Sequence, residues 1–69
     1  MTTGEKVRAL RESRGWSRER LAGLSREPLA WIIDVEEGRV RPHKKGRPLF
    51  ELAYTFDVDM EELWDDNDD

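Results

Sequence analysis

The sequence predicts an all-α fold, a compact domain of five short helices, on three observations. Apolar residues return at intervals of three and four, and no stretch of useful length alternates with a period of two. The apolar runs are opened by Thr, Ser, Asp or Pro, and two of them stop at a glycine, as helix boundaries do. The 69 residues contain no repeat and no linker, so they read as one domain.

Thr2 and Thr3 are both candidate N-caps for the first helix, and Thr2 with Glu5 has capping-box spacing. The run "EKVRALRESR" places Val7, Ala9 and Leu10 on its inner side, and Gly15 ends it. Ser17 caps a second helix, "RERLAGL", with Leu21 and Ala22 inward and an end blurred by Gly23. Ser25 and Glu27 compete to cap the third helix, residues 28–37. Pro28 favours Glu27, because proline suits the first helical position, and Gly38 is the stop. Residues 39–48, "RVRPHKKGRP", form a loop. Pro48 opens a fourth helix with Leu49, Leu52, Ala53 and Phe56 inward. Asp57 and Asp59 are alternative caps for a last helix whose Met60, Leu63 and Trp64 face the core; Asp59 with Glu62 again has capping-box spacing. Residues 65–69, "DDNDD", are expected to be a solvated, disordered acidic tail, which leaves residues 1–64 as the domain.

The net charge of −4 hides a segregation. Residues 1–47 hold all twelve Lys and Arg against seven acids, a balance of +5; residues 48–69 hold nine acids and no base, a balance of −9. A basic body with an acidic end points to a polyanionic partner more than a uniformly acidic protein would. The acidic end either aids solubility or competes with that partner by lying over the basic loop. With no Cys and one histidine, His43, no metal site is expected, and no cofactor. No phosphate loop, nucleophile motif or paired catalytic carboxylates appear, so no enzymatic activity is expected. No apolar run nears the roughly 20 residues of a membrane span, and the start lacks a signal peptide's apolar stretch, so a cytoplasmic protein without membrane contact is expected.

Taken in order, "GEKVRALRESRGWSRERLA", the pattern of Ile32, Val35, Glu36 and Gly38, "GRVRP", and "LFELAYTFDVDMEELW" resemble the Cro and lambda-repressor type of helix-turn-helix domain, also called the xenobiotic-response-element (XRE) family. The resemblance spans residues 4–64. It implies a lambda-repressor-like fold, duplex DNA as partner, and a transcriptional regulator acting as a homodimer. Its third helix enters the major groove, which here directs Leu29, Ala30, Trp31, Ile33 and Asp34 toward bases. It places Arg18 near phosphate, with Arg39, Arg41, Lys44, Lys45 and Arg47 following the backbone along the loop. Trp16 and Trp64 fall at its core positions.

Three features depart from the family. The third helix carries no Arg, Lys, Asn or Gln with which to read base edges. Arg26 stands where the turn before that helix has a glycine. The loop after Pro42 is about two residues longer than usual. Leu29, Trp31 and Ile33 accordingly have three readings: burial by a shifted third helix, a protein interface through residues 28–37, or groove contact through shape and thymine methyls. The second describes a different protein, an interaction module such as a co-regulator, antitoxin-like partner or assembly adaptor on the same scaffold.

Overall fold

Five helices follow one another in a computed structural model that describes residues 1–64: α1 (Thr3–Ser13), α2 (Arg18–Ser25), α3 (Leu29–Glu36), α4 (Arg47–Phe56) and α5 (Met60–Leu63). No strand occurs among the described residues. The acidic tail expected at residues 65–69 lies outside them. The radius of gyration, 10.4 Å, is close to the roughly 11 Å of a globular chain this long. No helix among the described residues is long and apolar enough to cross a membrane.

The helix ends follow local chemistry. Thr2 caps α1: its hydroxyl accepts from the Glu5 amide at 3.1 Å, while Glu5 accepts from the Thr2 amide at 2.8 Å. Ser17 caps α2 by accepting from the Arg20 amide at 3.0 Å. Gly15 and Gly38 take the positive φ angles, 70° and 83°, expected of stops. Asp57 and Asp59 divide the work between them. Asp57 ends α4 in a left-handed conformation, and Asp59 opens α5, where Glu62 accepts from its amide at 3.2 Å.

Three expected boundaries shift. Pro28, not Glu27, is the N-cap of α3, and it has no side-chain acceptor to offer the first amides. α4 begins at Arg47 with Pro48 second, because Gly46 supplies the extended turn ahead of it. α2 runs through Gly23 to Ser25, whose buried hydroxyl donates to the Leu21 carbonyl at 2.8 Å. Tertiary packing of Leu21 and Ala22 outweighs the modest helix penalty of one glycine.

The core is Val7, Leu21, Ala22, Ile32, Val35, Leu49, Leu52, Ala53, Phe56 and Leu63, drawn from all five helices. Trp16 closes one end, stacked on Phe56 with centroids 5.8 Å apart, and Arg14 lies over both rings. Trp16, Trp64, Met60 and Leu10 pack against this core and stay partly exposed. Ala9, expected inward, is exposed, because two residues on from the buried Val7 it faces away from the side that α1 packs.

Gly4 fixes how closely α1 and α3 approach. A Cβ there would lie 2.0 Å from the carbonyl oxygen of Val35 and 3.0 Å from its carbon. Both obstacles are backbone and cannot rotate aside. Gly4→Ala is expected to cost about 3 kcal/mol, in the upper range for overpacking. For a domain this size that lowers the melting temperature by roughly 12–24 °C. The opposite sign is expected at Arg26, whose φ of 62° strains any L side chain. Arg26→Gly relieves that strain against the greater backbone freedom glycine gives the unfolded chain. The net gain is roughly 0.5–1 kcal/mol, read as a rise in the same thermal melt.

Candidate nucleic-acid interface

The turn between α2 and α3 sets which residues α3 displays. Arg26 closes α2, its amide donating to the Ala22 carbonyl, and the Glu27 amide donates to the same oxygen at 3.2 Å. Pro28 then launches α3 with no side-chain cap. Ile32, Val35 and Glu36 turn inward. Leu29, at 37% exposure, and Ala30 lie on the surface, while Trp31, Ile33 and Asp34 are half-buried. None of Leu29, Trp31 and Ile33 is fully buried, so helix three is not shifted enough to hide them. Trp31 lays part of its indole against the core and keeps the rest outside.

Glu36 is the polar centre beneath this surface. Its carboxylate is fully shielded from water and receives three arginines. Arg11 binds it in a fork, Nε to Oε2 at 2.7 Å and Nη2 to Oε1 at 3.1 Å; Arg18 Nε reaches Oε1 at 3.0 Å and Arg8 Nε the same atom at 3.5 Å. Arg11 also donates to the Trp16 carbonyl at 2.7 Å, tying the cluster to the α1–α2 turn. Burial alone pushes the Glu36 carboxyl up. The hydrogen bonds and charges of Arg11 and Arg18 outweigh it and hold the pKa below the usual carboxylate value. The same contact raises Arg11.

The six cations expected to touch phosphate fall into two groups. Arg18 and Arg39 meet at the C-terminal end of α3. Arg18 is committed to Glu36 and also reaches Glu37 Oε2 at 3.4 Å; Arg39 bonds Asp34 Oδ1 at 2.9 Å and Glu37 Oε1 at 2.5 Å. The hydrogen bond that Arg39 donates lowers the Glu37 pKa, and the carboxylates of Glu37 and Asp34 that accept from Arg39 raise its own. The other four surround Trp64. Arg41 and Lys44 lie 5.7 and 5.9 Å from its ring centroid, and Lys44, Lys45 and Arg47 line the cleft it shares with Phe50 and Met60.

Arg47 belongs to a second depression as well, which it shares with Arg26, Glu27 and Glu51 at the turn ahead of α3. Its side chain is 87% exposed and reaches Glu51 Oε1 at 3.6 Å. Burial and the charge of Glu51 raise the Glu27 pKa, against the pull of Arg47. The start of α4 therefore brings a cation alongside Arg26, next to the exposed first turn of α3. Arg26 was the residue to single out from sequence. A charged side chain is costly to bury, and Arg26 stands exposed on a left-handed backbone that glycine would take without strain. Among the described residues no group of His, Asp and Glu is arranged to hold a metal. Compared with family models, curated proteins and solved structures, the chain finds no match.

Removing the Glu36 charge takes from Arg8, Arg11 and Arg18 the one buried carboxylate they share. Glu36→Gln is expected to cost about 3–5 kcal/mol, the usual penalty for breaking a buried ion pair. The pH dependence has a definite sign. Because the folded pKa lies below the unfolded value of about 4.3, the stabilisation is complete above that pH and is lost as pH falls through the folded pKa. Urea midpoints taken between pH 6 and 3 should fall steeply in the parent chain and less steeply in Glu36→Gln.

Proposed function

We propose that the chain is a helix-turn-helix domain of the Cro and lambda-repressor type that binds duplex DNA as a small transcriptional regulator. The observation that carries this reading is the set of cations on the loop that follows α3, where Lys44, Lys45 and Arg47 outnumber Glu51 and Glu61 in one cleft, with Arg26 exposed at the turn ahead of the uncapped first turn of α3. Helix N-termini and arginines together are common phosphate anchors. The four cations around Trp64 extend the same positive character along the loop that follows α3. They supply sequence-independent capture through counterion release. Leu29, Ala30 and Trp31 then offer shape and contact with thymine methyls, and no hydrogen-bond code. A lone protomer is a weak reader. Two copies on half-sites one helical turn apart provide the remaining selectivity.

A second reading is favoured by a separate observation. Arg18 and Arg39, which the resemblance directs toward phosphate, are both engaged by the carboxylates of α3 itself. That helix end thus offers a charge-compensated surface beside the partly exposed Leu29, Trp31 and Ile33, suited to a protein partner.

Fluorescence anisotropy with a random-sequence duplex, repeated over several salt concentrations, separates the two. For about four phosphate contacts the logarithm of affinity falls against the logarithm of salt with a slope of roughly −3 to −4. Lys45→Ala and Arg26→Gly are each expected to lower the slope by about one unit, the second while stabilising the fold. Trp31→Ala should leave the slope unchanged, since an indole neutralises no phosphate. No binding at the lowest salt overturns the DNA reading and leaves the interaction module.

A further inference from the structure

The outward face of α4 is self-complementary. Arg47, Phe50 and Tyr54 follow one another at spacings of three and four, which aligns them on one side of α4, and Asp57, the left-handed cap that ends the helix, lines the same depression as Phe50 and Tyr54. They read positive, aromatic, aromatic, negative. Phe50 is 52% and Tyr54 72% exposed, the two largest exposures of aromatic side chains, and their rings sit 6.4 Å apart. Half-buried Met60, from α5, widens the apolar strip beside Phe50. At the basic end Lys44 and Lys45 stand near Arg47, with Glu51 and Glu61 as the acids beside them; at the other end Asp59 joins Asp57 with no base.

We propose that this face docks a second copy of the chain, with the two α4 helices antiparallel about a twofold axis. The arithmetic of the stripe is what selects a copy over a different partner. An antiparallel pairing centred on Leu52 sets Arg47 against Asp57 and Phe50 against Tyr54, and by symmetry repeats both pairings. Each charge then finds its opposite, and each aromatic ring an aromatic ring. A parallel pairing in register sets like charge against like. The face is small, so the dimer is weak, with a Kd on the order of 100 µM in isolation. The pairing leaves α3 outside the interface and does not rest on DNA binding; in the dimer Arg47 is drawn to Asp57 of the other copy, which leaves the loop lysines and Arg26 on the proposed phosphate surface.

Sedimentation equilibrium of the full chain without DNA, from about 10 µM to 1 mM, tests it. The parent chain is expected to pass from monomer to dimer over that range. Phe50→Ser with Tyr54→Ser should stay monomeric while keeping its helical circular dichroism. Arg47→Asp should weaken the dimer about fivefold or more, and so should Asp57→Asn, which tolerates the left-handed backbone at that position. Arg47→Asp combined with Asp57→Arg in one chain should restore it to within about twofold, because the symmetry rebuilds both pairs. A parent chain that is monomeric at 1 mM overturns the proposal. So does a dimer indifferent to the aromatic substitutions, which would move the interface to another face, and so does a folded double charge reversal that stays as weak as Arg47→Asp alone.

Discussion

One carboxylate, that of Glu36, organises the half of the molecule that matters for recognition. It is the last residue of α3, it has no contact with water, and it is held by Arg8 and Arg11 from α1 and Arg18 from α2. Three helices are thus clamped at one point. A buried charge tolerates few arrangements, since its desolvation is offset only when its partners are well aligned. The forked contact from Arg11 meets that requirement. Its remaining donor, on the Trp16 carbonyl, carries the constraint into the turn between α1 and α2. Gly4 completes the arrangement from the other side by letting the α1 backbone lie against Val35, one residue before the carboxylate.

This clamp has a consequence for electrostatics. Arg18 satisfies Glu36 and so has less to offer an external anion, and Glu37 draws on Arg18 and Arg39 together. Further exposed cations stand elsewhere, Arg26 on the turn and Lys45 and Arg47 ahead of and at the start of α4, with Glu27, Glu51 and Glu61 among their neighbours. The two surfaces differ in kind. The end of α3 is internally compensated and firm. The loop and turn are net positive and solvent-exposed, where long-range attraction to a polyanion is strongest. Proposed DNA binding and the apolar character of α3 are therefore compatible: capture and shape are assigned to different parts of the surface.

The exposed aromatics are distributed in the same way. Trp16 and Trp64 are drawn partly into the core, where Phe56 and the cations Arg14, Arg41 and Lys44 cover their faces. Phe50 and Tyr54 stay exposed on α4, Phe50 at the edge of the cleft that Trp64 and Lys44 line. In a domain this small the core takes one side of each helix and leaves a large share of apolar surface outside. Placing that surface between a basic and an acidic helix end favours association with a defined geometry over indiscriminate sticking.

Much of this was legible in the residues themselves. The apolar spacing determined five helices, and Thr2, Ser17, Gly15 and Gly38 determined ends, because capping and left-handed turns depend on neighbours only a few positions away. The core residues Val7, Leu21, Leu49, Leu52, Phe56 and Leu63 followed from the same periodicity. What sequence left open was everything set by residues distant along the chain. Whether Leu29, Trp31 and Ile33 are hidden depends on the rotation of α3, which Gly4 and Glu36 fix from across the molecule. Arg39 and Arg47 pair with carboxylates only a few positions away, which the order of residues already places within reach. Arg18 looks like Lys45 in sequence yet is engaged by Glu36, eighteen residues on. Tertiary structure alone decided that pairing, because it forms through space and its strength depends on burial, neither of which the order of residues encodes locally.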